Sequence, residues 1–202
     1  LLEEQQPGSD EEVILNNSIS LLEYKFAHTL QKMMMKEKQN IVFSAGSGEL
    51  DSRFTYRLEK ELRKYYDTGR IVLDSVVQID TSVHLLIVAA PKRQISLPNQ
   101  FKIDQYIMRG GKVIWALEKL TANLDSIAKY NFYVPQDIIT DVDDMLFKYG
   151  ARVQPNLIID LECSAIPQIV GMTGDKPQTM MFPWYYHPVL QSHDNHVIVK
   201  NI

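Results

Sequence analysis

The sequence has little that would mark a disulfide-bonded, membrane-spanning or nucleic-acid-binding protein. Among its 202 residues it has one cysteine, Cys163, which excludes an intramolecular disulfide. No stretch approaches the roughly 18 consecutive apolar residues of a transmembrane helix. The formal net charge is −4, from 21 basic and 25 acidic residues, without a cluster of Lys and Arg. Binding to nucleic acid is therefore not expected.

The ends of the chain indicate a piece of a longer protein. It begins at Leu1 without an initiator methionine, and its last residues, HVIVKNI, stop within a strand-like pattern. We expect residues 1–16, which are polar and acidic, to form a flexible lead. Residues 17–202 are predicted to form a single α/β domain, and any membrane anchor would belong to the parent protein.

Short apolar runs alternate with amphipathic stretches along most of the chain. Runs typical of strands buried on both faces occupy residues 41–43, 84–90 and 113–117. Helical spacing predicts helices beginning near Phe54 and Pro98, the second ending at Gly110-Gly111. This alternation predicts an α/β fold with a mostly parallel, flavodoxin-like sheet and helices on both faces. Residues 151–202 are predicted to add an irregular, β-containing C-terminal region.

Three further helices are predicted. The first starts at a capping box formed by Ser20 and Glu23. Its apolar face is expected to pack in the core, with an adaptable binding surface as the alternative for its methionines. That face comprises Leu22, Phe26, Leu30, Met33 and Met34. The other two helices are predicted over residues 122–129 and 141–149.

A glycine-containing loop, Gly46-Ser47-Gly48-Glu49, follows the first predicted strand. In parallel sheets such loops border ligand sites. The loop lacks the spacing of a dinucleotide-binding, P-loop or nucleophile-elbow motif, and its acidic residues would repel phosphate. Two interpretations of the loop remain open: it is a structural turn, or it is a binding site for a neutral ligand or a partner. The candidate binding residues are Gly46, Ser47, Gly48, Glu49, Asp51 and Arg53.

Other chemistry-bearing residues have ordinary structural explanations. Cys163 is more typical of a small buried hydrophobe than of a nucleophile. The aspartates near residue 141 suit a helix start better than a metal site, and no metal or cofactor is predicted. Trp184, Tyr185 and Tyr186 stand between prolines, where they form either an aromatic contact platform or a cover for the core.

Stretches spread over nearly the whole chain resemble the gliding-motility ABC-transporter auxiliary proteins of the GldG type, found in Bacteroidetes-like bacteria. None of the stretches is catalytic, so the resemblance rests on their number and order. They are LLEYKFAHTLQKM (21–33), SGELD (47–51), YYDTGRIVLDSV (65–76), LLIVAAPKR (85–93), IDQYIMRGGKVIWALE (103–118), LFKYGARVQPNLIIDLEC (146–163), FPWYYHPV (182–189) and HVIVKNI (196–202).

This resemblance implies a GIFT domain, similar in fold to class I glutamine amidotransferases. It implies a parent anchored in the inner membrane, this domain on the periplasmic face, and an ABC permease and an ATPase as partners. The family loop often carries His where Ser47 stands. In those enzymes the nucleophile lies on the turn after a central strand that follows a Gly-Gly pair. In this chain the corresponding strand follows Gly110-Gly111, and the turn after it, residues 118–120, carries Glu, Lys and Leu. Covalent catalysis at that position is therefore not expected.

The main hypothesis is a non-enzymatic auxiliary domain that acts by protein contact through residues 46–51 and 182–187. The alternative is a small-ligand or glycan-binding module that uses Ser47, Glu49 and Arg53. A divergent hydrolase or amidotransferase that depends on Cys163 is the third hypothesis.

Overall fold

The computed structural model describes residues 19, 22–34, 37–122, 133–174 and 176–189. The chain divides into two compact units. One, called here the sheet unit, comprises residues 1–118 and 139–152, and the other, the hairpin unit, comprises residues 119–138 and 153–202. The predicted lead and residues 123–129 of the predicted helix lie outside the described residues. Within the described parts, no helix is long and apolar enough to cross a membrane.

The sheet unit is built on four parallel strands. They are β1 (Asn40–Ala45), β2 (Asp67–Val72), β3 (Val83–Ala89) and β4 (Lys112–Ala116). Their order across the sheet is β2-β1-β3-β4. This is the order of the first four strands of a flavodoxin-like sheet, whose switch point lies between β1 and β3. The prediction of an α/β fold with a mostly parallel sheet is confirmed.

Among the described residues of the sheet unit, four helices accompany these strands. They are α1 (Leu22–Met34), α2 (Ser52–Leu62), α3 (Leu97–Met108) and α4 (Asp143–Lys148). Residue 141 cannot begin α4 as predicted, because Asp141 has a φ of 59° in the left-handed region. Strand β2 is followed by a short 3₁₀ turn, Leu73–Ser75.

Side chains of β3 alternate between two apolar clusters, one on each face of the sheet. Leu86 and Val88 are fully buried in a cluster that includes Ile103 of α3. Ile87 belongs to the opposite cluster, against which Leu62 of α2 packs. A fully buried side chain of this size contributes about 1.5–3 kcal/mol. Burial on both faces explains the near-continuous apolar run of β3.

The predicted packing of the first helix in the core is wrong. The apolar side chains of α1 are exposed, and Met33 and Met34 are about four-fifths accessible. Phe54 and Leu58 on α2 are also exposed, although helical spacing placed them on an apolar stripe. Periodicity reports that a helix has an apolar face, but not what covers that face. The run at residues 113–117 was predicted to be buried on both faces, but edge strand β4 alternates between exposed and half-buried residues.

The end of α3 depends on two glycines, as predicted. Gly110 has a φ of 91°, and its N–H donates to the Ile107 carbonyl at 2.8 Å. The Gly111 N–H donates to the Tyr106 carbonyl at 2.9 Å. A Cβ on Gly111 would lie 2.4 Å from the Tyr106 ring. The second glycine is therefore required by the close approach of a buried aromatic ring.

The hairpin unit contains a long antiparallel ribbon. Its strands are β5 (Cys163–Thr173) and β6 (Lys176–Pro188). These strands confirm the β-containing C-terminal region predicted for residues 151–202, although β6 forms a regular strand in a segment expected to be irregular. A two-stranded ribbon has outer edges where a residue without an N–H is tolerated.

Replacing Gly111 with alanine should destabilise the protein. The added methyl group must displace the Tyr106 ring, and overpacking of this kind costs about 1–3 kcal/mol. Urea denaturation measures the loss. Gly69→Ala is the matched control, because nothing lies within 4 Å of the added Cβ. Equal stability of the two variants would contradict the steric role assigned to Gly111.

Candidate functional site

The loop predicted as a binding site lies at the carboxyl edge of the sheet, directly after β1. Gly46 and Gly48 have φ values of 118° and 76°, which other residues rarely adopt. A Cβ on Gly48 would also lie 3.3 Å from the Lys92 Cβ. The two glycines are therefore required by the turn itself, whatever else the loop does.

The Glu49 carboxylate turns back into the loop. It accepts a hydrogen bond from the Ser44 hydroxyl at 3.0 Å and another from the Ser47 N–H at 2.7 Å. Ser44 and Ser47 are both buried. A carboxylate with two internal donors stabilises a turn, so this geometry favours a structural role for Ser47 and Glu49. Their predicted role in ligand binding stays a prediction.

The loops that follow β1 and β3 are joined by hydrogen bonds. The Ser47 carbonyl accepts from the N–H groups of Lys92 and Arg93 at 3.0 and 2.9 Å. The Arg93 guanidinium donates to the Gly46 carbonyl at 3.1 Å, and the Leu50 N–H donates to Ala89. These two loops flank the switch point, where flavodoxin-like sheets bind ligands. Here they bind one another.

Asp51 and Arg53 lie at the start of α2. Asp51 is the N-cap, and its carboxylate accepts from the Arg53 N–H at 3.0 Å. This backbone hydrogen bond lowers the pKa of Asp51, and the Arg53 charge acts in the same direction. The Arg53 side chain is 84% exposed. The Arg53 guanidinium also forms an ion pair with the Asp51 carboxylate at 3.4 Å, so these two exposed charges partner one another.

Sequence reasoning missed a charged network beside this loop. The Arg70 guanidinium donates to the Leu50 carbonyl, to the Thr55 hydroxyl and to the Glu59 carboxylate at 2.7 Å. It also lies 5.4 Å from the centre of the Phe43 ring. Burial alone would raise the pKa of Glu59, but the hydrogen bonds from Thr55 and Arg70 lower it. The network ties α2 and β2 to the loop.

Other groups at this edge offer little for catalysis. Ala90, directly after β3, has a left-handed φ of 48°, a conformation found at nucleophile elbows, but its side chain is a methyl group. Lys92 forms an ion pair with Glu118. Cys163 lies on β5 in the hairpin unit and is half-buried. Among the described residues, no three His, Cys, Asp or Glu are placed to hold a metal.

The aromatic segment of β6 divides between two faces of the ribbon. Trp184 and Tyr186 are two residues apart, and their ring centres lie 5.7 Å from each other. Together with Tyr133 and Leu157 they line a cavity of about 230 Å³ within the hairpin unit. Tyr185, which lies between them in sequence, does not line this cavity, and its backbone carbonyl accepts from the Asp160 N–H. The three predicted residues therefore do not form one platform.

Comparison with known families covers both units. A family model described as an ABC-type uncharacterized transport system matches residues 38–202. The chain belongs to this family. The matched region begins after α1 and includes the loop, the charged network and the hairpin. The family is one of auxiliary components of ABC-type transport systems.

Comparison with individual proteins adds less. A solved structure titled mmIFT52 N-terminal domain has 16% sequence identity with this chain and a TM-score of 0.44. The match covers 72% of this chain and 65% of that one, which is less than two thirds of its length. No curated protein matches the sequence.

Replacing Glu49 with alanine tests the structural role of the loop. The change leaves the buried Ser44 hydroxyl and Ser47 N–H without their acceptor, which should lower the unfolding free energy by about 1–3 kcal/mol. Urea denaturation measures this loss. Arg53→Ala removes an exposed side chain of the same loop and should cost under about 1 kcal/mol. A Glu49 variant as stable as the parent would favour a ligand-binding role instead.

Proposed function

We propose that this chain is a non-enzymatic, extracytoplasmic domain of an ABC-type transport system, and that it works by protein contact. The observation that carries the proposal is the exposed ribbon formed by β5 and β6. The family supplies the transport system, and the ribbon supplies a surface suited to a partner.

The ribbon is long, apolar and almost uncharged. Residues 163–189 contain two charged side chains, Asp175 and Lys176. The large apolar side chains that are mainly exposed include Ile169, Val170, Met172, Met180 and Met181. An isolated two-stranded ribbon is marginally stable in water, and a grouped apolar surface of this kind marks an interaction site. Methionine adapts well to a partner surface.

Prolines restrict how a partner can bind the ribbon. Pro167 pairs with Met181, and Pro183 pairs with Ala165 two positions along the ladder. Proline has no N–H, so it is accommodated in non-hydrogen-bonded pairs, where the nitrogen faces the outer edge. Each edge therefore lacks a donor that an added strand would need. Contact through the side chains on the faces of the ribbon is favoured over strand addition.

The carboxyl edge of the sheet supports a non-enzymatic role. Ala90 provides no nucleophile at the strained position after β3, and the loop after β1 is committed to internal hydrogen bonds. The turn after β4 carries Glu118, Lys119 and Leu120, without the hydroxyl or thiol that covalent catalysis needs.

The resemblance to the GldG type supports the finer parts of the proposal. On that basis the domain is of the GIFT type, lies on the periplasmic face of the inner membrane, and belongs to a parent anchored there. Its partners would be the permease and ATPase subunits of a system linked to gliding motility. An uncharged ribbon is better matched to an apolar subunit surface than to a strongly charged partner.

Substitution on one face of the ribbon should weaken this contact. Ile169→Ser combined with Met181→Ser removes two exposed apolar side chains from the same face, according to the β5–β6 register. Recovery of the permease with the full-length parent should fall by at least about fivefold. Because both side chains are exposed, the melting temperature should stay within about 2 °C.

The matched control is Val77→Ser combined with Leu97→Ser. These side chains are apolar and even more exposed, but they lie in the sheet unit. The control should retain full recovery of the permease. Undiminished recovery with the ribbon variant would rule out this surface.

Cellular location is tested separately in the native organism. Protease added to spheroplasts should digest this segment of the parent protein while a cytoplasmic marker stays intact. Protection of the segment until the inner membrane is permeabilised would contradict the periplasmic location, although not membership of the family.

A further inference from the structure

A cavity of about 420 Å³ opens at the amino edge of the sheet, opposite the predicted loop site. It lies beside the first residues of β1, β3 and β4, entirely within the sheet unit. Its volume lies within the range of small-molecule sites. Neither the family nor the sequence analysis assigns a role to this edge.

Two cationic side chains, Arg109 after α3 and Lys112 on β4, line the cavity together with His84 on β3, and none of its lining residues is acidic. In a chain with more acidic than basic residues, this local excess of positive charge favours an anion.

The charges of Arg109 and Lys112 are not neutralised within the described parts of the chain. The Arg109 guanidinium donates to neutral acceptors, the Gln105 carbonyl at 3.0 Å and the Gln78 side-chain oxygen at 3.2 Å. Among the described residues, neither Arg109 nor Lys112 forms an ion pair. The Asn40 N–H donates to the His84 Nδ1 at 3.2 Å, which leaves Nε2 as a donor.

The rest of the lining is mixed, with polar Gln39 and Thr81 beside apolar and aromatic side chains. The apolar walls that stay partly accessible are Tyr66 and Leu85, which are half-buried. Tyr106 is buried, and its hydroxyl donates to the Val83 carbonyl at 3.0 Å and lies 3.4 Å from the Lys112 carbonyl. Because Gly111 has no Cβ, the Tyr106 ring can occupy the space beside its backbone. Apolar walls with cationic groups suit a ligand that has both an apolar body and an anionic head.

We propose that this cavity binds a small amphiphilic anion, in which a carboxylate or phosphate group is attached to an apolar body about the size of a benzene ring. The cationic groups of Arg109 and Lys112 recognise the anionic head, and the apolar walls accept the body. The site goes beyond the contact function proposed for the ribbon and does not depend on it.

Titration with phenyl phosphate, followed by amide NMR of the whole chain, tests the proposal. Saturable shifts are expected at His84, Gly110, Gly111 and Lys112 below about 10 mM, the range expected for so small a ligand. Inorganic phosphate carries the head alone, and benzyl alcohol carries the body alone. Each should bind at least about tenfold more weakly than phenyl phosphate.

Charge removal separates the cavity from general electrostatic attraction. Arg109→Gln combined with Lys112→Gln should weaken phenyl phosphate binding by at least about tenfold. Arg57→Gln combined with Lys60→Gln removes the same charge from exposed positions on α2 and should leave the affinity unchanged. If the double cavity variant does not fold, Lys112→Gln alone should still weaken binding.

Three results would overturn the proposal. The first is the absence of saturable shifts at the cavity amides. The second is equal binding of benzyl alcohol, which would mean apolar adsorption only. The third is an equal loss of affinity in the α2 control variant, which would mean that net charge alone attracts the anion.

Discussion

The constraint on which the sheet unit depends is that β3 must be buried on both faces. Leu86 and Ile87 belong to opposite clusters, so helices must cover both sides of the sheet. Both edges then carry strand ends whose backbone groups need partners. At the carboxyl edge the loops after β1 and β3 provide hydrogen-bond partners for each other's backbone, as where the Leu50 N–H donates to the Ala89 carbonyl. At the amino edge the buried Tyr106 hydroxyl donates to the Val83 carbonyl beside an open cavity.

The carboxyl edge departs from the usual arrangement of a flavodoxin-like sheet. Ligands normally bind beyond the carboxyl ends of the strands, at the switch point. Here the Ser47 carbonyl and the Glu49 carboxylate are taken up by hydrogen bonds within and between the two switch-point loops. Arg70 joins the same region to α2 through Glu59. A fold used widely by enzymes thus has its usual reactive edge occupied by structural interactions, which fits an auxiliary role in transport.

The sequence predicted the elements whose burial is local and regular. The apolar runs of β1 and β3 located the sheet, and Gly110-Gly111 located the end of α3. It predicted core packing for the exposed face of α1, because an apolar helical face looks the same whether it is buried or free. It predicted a β-containing C-terminal region but not the regular strand β6, because Pro177 and Pro183 argue against a central strand but are tolerated on a ribbon edge. Arg70 and Glu59 are eleven residues apart, and only folding brings them together.

The exposed apolar faces of α1 and of the β5–β6 ribbon differ in their relation to the family. The face of α1 that carries Met33 and Met34 precedes the matched region, which begins at residue 38. The β5–β6 ribbon lies inside that region. A contact needed for a role common to the family must use residues within the matched region. The ribbon is therefore the surface on which the proposed contact with the transport system would depend, whereas α1 lies outside the residues that the family model matches.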